Sequence, residues 1–258
     1  MRRLVAIAAA FLSVSTASGC AGGQGQDRTH PSTATTQQVD VTTAITKAGD
    51  AAIRNGDVLE GVHILRNGYE HDPNATTATA LAKAYRLAGE AQAGLVVLQE
   101  AEGRFAPTWE MYTEEGRCAL ADGYLPEAKI AVDKAVAAPG AKWAAWMVHG
   151  AYSARLGDYA AAEADFRKAL ALASGGRETM AAISNVALTK AERGDIKGAV
   201  ADLEDVVRRP GVDPRIRGNL SVLYALSGDR AKFTDQLRRI ALAPSDSGAA
   251  AAWAADLR

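Results

Sequence analysis

A glycine returns along this chain at nearly constant spacing, and that spacing constrains the fold more than any other feature. Gly56, Gly89, Gly123, Gly157, Gly194 and Gly228 are about 33, 34, 34, 37 and 34 residues apart. Each separates two runs rich in Ala, Leu, Glu, Lys and Arg, which are strong helix formers, so each glycine breaks one helix from the next. Seven residues before each stands a small residue: Gly49, Ala82, Gly116, Gly150, Ala187 and Ser221. Five residues after each stand Gly61, Gly94, Ala128, Ala162 and Ala199, while the last place holds Phe233. Small residues at both places let two helices approach closely. A period of this length marks a unit that cannot bury its apolar face alone and must stack on its neighbours. An alanine-rich bundle without repeats has no reason to keep it.

One unit shows the pattern in full. Between Trp143 and Gly176, the residues Tyr159, Ala162, Phe166, Ala169 and Leu170 fall on one helix face. Trp146, Tyr159 and Phe166 are large enough to fill the space beside Gly150 and Ala162. The series Trp146, Gly150, Gly157, Asp158, Tyr159, Ala162, Phe166 and Ala169 resembles the tetratricopeptide repeat (TPR), a pair of antiparallel helices. The resemblance implies an all-α fold, a right-handed superhelical TPR solenoid. Six helix-turn-helix repeats would occupy residues 41–243, and a C-terminal capping helix residues 244–258. Pro73, Pro107, Pro139, Pro210 and Pro244 recur where second helices should end. In the capping segment Ser247 suits an N-cap, and Ala250, Trp253 and Leu257 share one face. Such a helix would cover the open end of the stack.

Residues 1–19 read as a targeting segment rather than structure. Arg2 and Arg3 precede an apolar run, Leu4 to Val14, that is too short to span a bilayer. Ala17-Ser18-Gly19-Cys20 then resembles a bacterial lipobox, which implies a lipoprotein signal peptide and a lipidated Cys20. An ordinary signal peptide and a twin-arginine signal are the alternatives. Residues 20–40 read as a flexible linker rich in Gly, Gln, Ser and Thr, too poor in apolar groups to offset the entropy of ordering. Ala21 after the cysteine matches the sorting pattern for the outer membrane, so the expected place is the bacterial cell envelope, lipid-anchored and facing the periplasm. Each buried methylene of an acyl chain contributes about 0.8 kcal/mol, so more than one chain makes a stable anchor.

Nothing in the chain points to catalysis. With a formal charge of -1 the chain lacks the basic footprint of a nucleic-acid binder. Its histidines, His30, His63, His71 and His149, are not paired at metal-binding spacing, and His149 reads as a structural residue. Cys118, between Arg117 and Ala119, reads as a small buried hydrophobe. Asp202, Glu204 and Asp205 read as a solvated helix face. No catalytic residue, metal site or cofactor is expected, and no enzyme.

What remains is a binding surface. In TPR proteins the first helices of successive repeats line a concave face that receives a peptide or a partner's helix. The resemblance places Lys83 and Arg86 there from repeat two, and Glu110, Glu114 and Arg117 from repeat three. Repeat four adds Met147, Ala151 and Arg155, repeat five Asn185 and Leu188, and repeat six Asn219 and Val222. Asn185 and Asn219 hold equivalent places, where a TPR asparagine often bonds a peptide backbone.

The lipobox, polar linker, repeats and terminal helix together resemble the lipoprotein pilotins of bacterial surface machines. The stretch Asp213-Pro214-Arg215-Ile216-Arg217-Gly218-Asn219-Leu220-Ser221 through Ala225-Leu226-Ser227-Gly228 is similar to TadD-like lipoproteins of the tight-adherence (Flp) pilus system. That resemblance implies a non-enzymatic factor whose protein partners are an outer-membrane secretin or pilus assembly components. A type IV pilus pilotin is one alternative. A TPR lipoprotein scaffold that recruits peptidoglycan enzymes or envelope assembly complexes is another.

Overall fold

The structure is a computed structural model and describes residues 33–241, with side chains described from 41 to 240. The signal segment, Cys20 and the expected capping helix lie outside the described residues. Twelve helices and no strand occur among the described residues. In chain order they are α1 (Thr33–Arg54), α2 (Val58–His71), α3 (Ala75–Leu87), α4 (Ala91–Glu102), α5 (Trp109–Asp122) and α6 (Leu125–Ala137). Then follow α7 (Trp143–Arg155), α8 (Tyr159–Leu172), α9 (Gly176–Glu192), α10 (Ile196–Val206), α11 (Pro214–Ser227) and α12 (Arg230–Ala241). Helix α1 reaches back to Thr33, into the stretch expected to be linker.

The turns show why the spacing works. All six ruler glycines have positive φ, a conformation that side chains with a Cβ adopt at a cost. Gly123 and Gly228 stand as left-handed caps at the ends of α5 and α11. The residue after the glycine often starts the next helix. The carboxylates of Asp57, Asp158 and Asp195 accept from the backbone N–H of Glu60, Ala161 and Gly198, at 3.1, 3.0 and 2.9 Å. Where Glu90 and Tyr124 take that place, no side-chain cap bond forms.

The 37-residue interval has a local explanation. Helix α9 begins 18 residues before its turn glycine (176 to 194), whereas α3, α5, α7 and α11 each begin 14 before theirs. That start is four residues earlier, about one helical turn, so the three residues beyond the usual 34 go into the length of one helix.

The chain forms two compact units that divide between Tyr152 and Ser153. In the first, α1 packs on α2, α3 on α4 and α5 on α6, while α3 also touches α1 and α5. Its core joins Ala78, Ala82, Leu95, Leu98, Met111 and Cys118, beside a second cluster of Val62, Leu65, Leu81 and Tyr85. The small-residue pairing is visible in it: a Cβ on Gly94 would stand 2.9 Å from the Ala82 carbonyl oxygen and 3.0 Å from Cys118 Sγ. In the second unit α9 packs on α8, α10 and α11, and α11 also on α10 and α12. Phe166, Leu203, Val206, Ile216, Leu220 and Leu223 are buried there. Phe233, at the place where the other repeats carry Gly or Ala, is half-buried.

Candidate partner-binding face

In the first unit α3 contacts both α1 and α5, and four of the five charged residues expected on these helices form ion pairs. Lys83 Nζ on α3 is 2.8 Å from Asp50 Oδ1 on α1. Arg86 Nε donates to Glu114 Oε1 on α5 at 2.6 Å, and Arg117 Nη1 donates to Glu114 Oε2 at 3.1 Å. These charges form a ladder across three repeats.

Burial makes the ladder consequential. The Glu114 side chain is 3% exposed and that of Arg86 12%. Burial pushes the Glu114 carboxyl up, but the two guanidiniums and their hydrogen bonds outweigh it and hold it below its ordinary range. Burial likewise pulls Arg86 down, and the Glu114 carboxylate more than compensates. Breaking such a pair by deleting one partner leaves a buried charge uncompensated and costs about 3–5 kcal/mol. Arg86 Nη2 is buried with no hydrogen-bond partner. Glu110, one turn earlier on α5, is exposed.

The other expected face residues differ in burial. Met147 and Ala151 are buried and belong to the packing of α7, while Arg155 at its end is exposed. In the second unit Asn185 on α9 is only 4% exposed. Asn219 on α11 is half-buried and donates through Nδ2 to Ser184 Oγ on α9 at 3.2 Å. The two asparagines therefore differ: one is packed into its helix interface and the other bridges two repeats. Leu188 and Val222 are half-buried.

Asp50 and Ser184 are the residues that sequence reasoning missed. Their signal was available. Asp50 and Lys83 are 33 residues apart and Ser184 and Asn219 are 35 apart, which is one repeat, so complementary polar residues one period apart meet on neighbouring helices.

The supposed solvated acids also have partners. Asp202 pairs with Lys190 at 2.6 Å, and Glu204 accepts from Tyr224 Oη at 2.7 Å and from Lys232 at 3.0 Å. His149 Nε2 lies 3.3 Å from Asp133 Oδ1, and its ring is tilted against Trp146. Cys118 is buried, which pushes its thiol up and leaves it a poor nucleophile. Among the described residues no cluster of His, Cys, Asp and Glu could hold a metal ion, and no helix is long and apolar enough to cross a membrane.

No family model and no curated protein sequence matches this chain. Solved structures do match. A TPR protein of Thermus thermophilus, TTC0263, aligns at 17% identity over 71% of this chain and 99% of its own, with a TM-score of 0.63. PilW, a widely conserved type IV pilus biogenesis factor, aligns at 18% identity over 78% of this chain and 92% of its own, with a TM-score of 0.62. A chain of the APC/C hetero-tetramer Cut9-Hcn1 aligns at 15% identity with a TM-score of 0.66; the match covers 81% of this chain but only 41% of that one. The fold is that of an all-α TPR protein.

Proposed function

We propose that this chain is a non-enzymatic TPR lipoprotein that binds protein partners in pilus biogenesis. A TPR fold supports protein–protein interaction, and the likeness to PilW supports the pilus setting. The observation that carries the reading is the ladder on α1, α3 and α5. It gathers charged side chains from three repeats onto neighbouring helices.

Within that setting, the Asp213 to Gly228 stretch favours the tight-adherence (Flp) system over the type IV one. The client would be an outer-membrane secretin, which the chain would help to reach or assemble in its membrane. Lipidated Cys20 would hold the protein at the outer membrane on its periplasmic side, with the following segment as a tether. Confinement to one membrane raises the effective concentration of the two partners, so a modest affinity suffices.

The test is crosslinking of the native protein in its membranes, followed by capture and mass spectrometry. Recovery of a secretin with tight-adherence components is the expected result. A secretin recovered with type IV pilus components would move the assignment to that system. Peptidoglycan synthases or hydrolases without a secretin would overturn the pilus reading and favour a scaffold.

A further inference from the structure

We propose that the arginine-rich end of the α11–α12 hairpin rests on the phosphate headgroups of an anionic phospholipid membrane. The inference goes beyond the partner-binding reading and takes from it only the membrane setting.

Charge is unevenly spread along the chain. Residues 206–240 hold eight basic and three acidic side chains, while residues 41–205 hold 17 basic and 23 acidic ones. Residues 242–258 add Asp246, Asp256 and Arg258, which takes one charge off the positive excess. The last repeat is therefore basic on a chain that is otherwise acidic, an asymmetry that points to an anionic surface.

The fold gathers these charges. Only Gly228 and Asp229 separate α11 from α12, and the two helices pack on each other, so they run antiparallel. The start of α11 thereby meets the end of α12, and the connection from α10 arrives at the same place. Arg208 and Arg209 come from that connection, Arg215 and Arg217 from α11, and Arg238 and Arg239 from α12. Arg217 Nη2 donates to the Val207 carbonyl oxygen, at the end of α10, at 3.0 Å. Burial and the neighbouring Arg239 both pull Arg217 below its ordinary value, and no carboxylate offsets them.

Three aspartates face these six arginines. Asp205 is shared by Arg209 at 2.6 Å and Arg208 at 3.9 Å, and Asp235 pairs with Arg239 at 2.7 Å. Asp213 caps α11, accepting from the Arg215 backbone N–H at 2.8 Å. Arg215 and Arg238 are exposed, and neither guanidinium has a partner among the described residues. The dipoles of α10 and α12 favour cations at their C-terminal ends, which accounts for Arg208, Arg209, Arg238 and Arg239. It does not account for Arg215 and Arg217, which stand in the first turn of α11, where the dipole disfavours a cation.

The kind of partner follows from the surroundings. A protein interface has an apolar core inside a polar rim. Within residues 205–217 and 235–240 no large apolar side chain is exposed, and the exposed Leu226 lies at the other end, beside the Gly228 turn. A cationic surface without an apolar centre suits a layer of phosphates, which guanidinium groups bind through charge-assisted bonds. An acyl chain on Cys20 would bring lipid phosphates within reach, and a basic patch adds a second attachment to such an anchor.

The probes are phosphatidylcholine vesicles with and without phosphatidylglycerol. The protein is residues 20–258 with Cys20→Ala, which keeps every described helix and carries no acyl chain. Cosedimentation reads binding. The phosphatidylglycerol vesicles should bind at least tenfold more tightly than the neutral ones, and less so as salt rises. Arg208→Gln, Arg215→Gln and Arg238→Gln together should remove most of this preference, because each arginine near the surface contributes roughly fivefold in affinity. The matched set Arg54→Gln, Arg155→Gln and Lys197→Gln, exposed cations elsewhere, should keep it. Circular dichroism checks each fold, and if the triple arginine variant is unfolded, Arg215→Gln decides alone.

Equal binding to the two vesicle types would overturn the proposal, as would a preference lost equally in both variant sets or in neither. Displacement by soluble glycerophosphoglycerol, too dilute to screen charge, would overturn it in favour of a discrete phosphate site. Tighter binding to a DNA duplex than to the vesicles at equal phosphate concentration would overturn it in favour of nucleic acid. The tested chain has neither lipid nor partner, so failure here leaves the anchor and pilus readings standing. High salt removes this attachment but not an acyl anchor, which keeps the two apart in whole membranes.

Discussion

Two glycines inside helices should respond to the same substitution with opposite signs. Gly94 lies in α4 and Gly218 in α11. Replacing glycine by alanine in a helix interior stabilises by up to about 1 kcal/mol when the new methyl group meets nothing. At Gly218 an added Cβ has no heavy atom within 4 Å, so Gly218→Ala should gain most of that. At Gly94 the same atom would stand 2.9 Å from the Ala82 carbonyl oxygen and 3.0 Å from Cys118 Sγ. The nearer neighbour is backbone of the paired helix and cannot swing aside, so α3 and α4 must separate. Overpacking of this kind costs about 1–3 kcal/mol, which outweighs the propensity gain. Gly94→Ala should therefore be less stable than the wild type, by about 1 kcal/mol net. Urea unfolding followed by circular dichroism at a fixed pH reads both variants. Because the sites lie in different compact units, the double variant should show nearly the sum of the two effects. A Gly94→Ala protein as stable as the wild type would refute the close α3–α4 approach. A destabilised Gly218→Ala would refute the open space above α11.

Glu114→Ala should lose about 3–5 kcal/mol in the same assay, because it strands Arg86 in a buried site; a loss under 1 kcal/mol would show that the ladder is not buried in solution. The Glu114 carboxyl is held below its ordinary value by Arg86 and Arg117, so its contribution is present above the ordinary carboxylate range and is lost as pH falls through the depressed folded value. Glu115 is held above its ordinary value by burial and Glu102 and acts with the opposite sign, so the useful comparison is the wild type against Glu114→Gln, which should show a shallower acid decline. Tyr224→Phe should cost about 1 kcal/mol through loss of the bond to Glu204, a charged acceptor that is partly screened by water. Cys20→Ala should leave the repeats folded and release the protein from membranes; a variant that still pellets with membranes after a salt wash would sink the lipid-anchor reading.

The repeat architecture was legible because its determinants are local. Glycine at a positive-φ turn, aspartate at the next helix start and small residues at fixed offsets each act within a few residues, and Gly157-Asp158 shows two of them in sequence. The burial of the residues expected on the binding face was not legible. Lys83, Arg86 and Arg117 form ion pairs with acids, while Glu114, Met147 and Asn185 are buried. A helical register says which way a side chain leaves its own helix; it does not say how closely the next helix approaches on that side.

By itself, then, the amino-acid order determined the number and period of the repeats, because turn and helix preferences are properties of neighbouring residues. Only the tertiary structure decided that Asp50 neutralises Lys83, and that one buried carboxylate is shared by two arginines. Those charges come from different helices brought together by packing. Whether each is paired, buried or left with spare donors depends on distances of a few ångströms between helices, which no single repeat encodes.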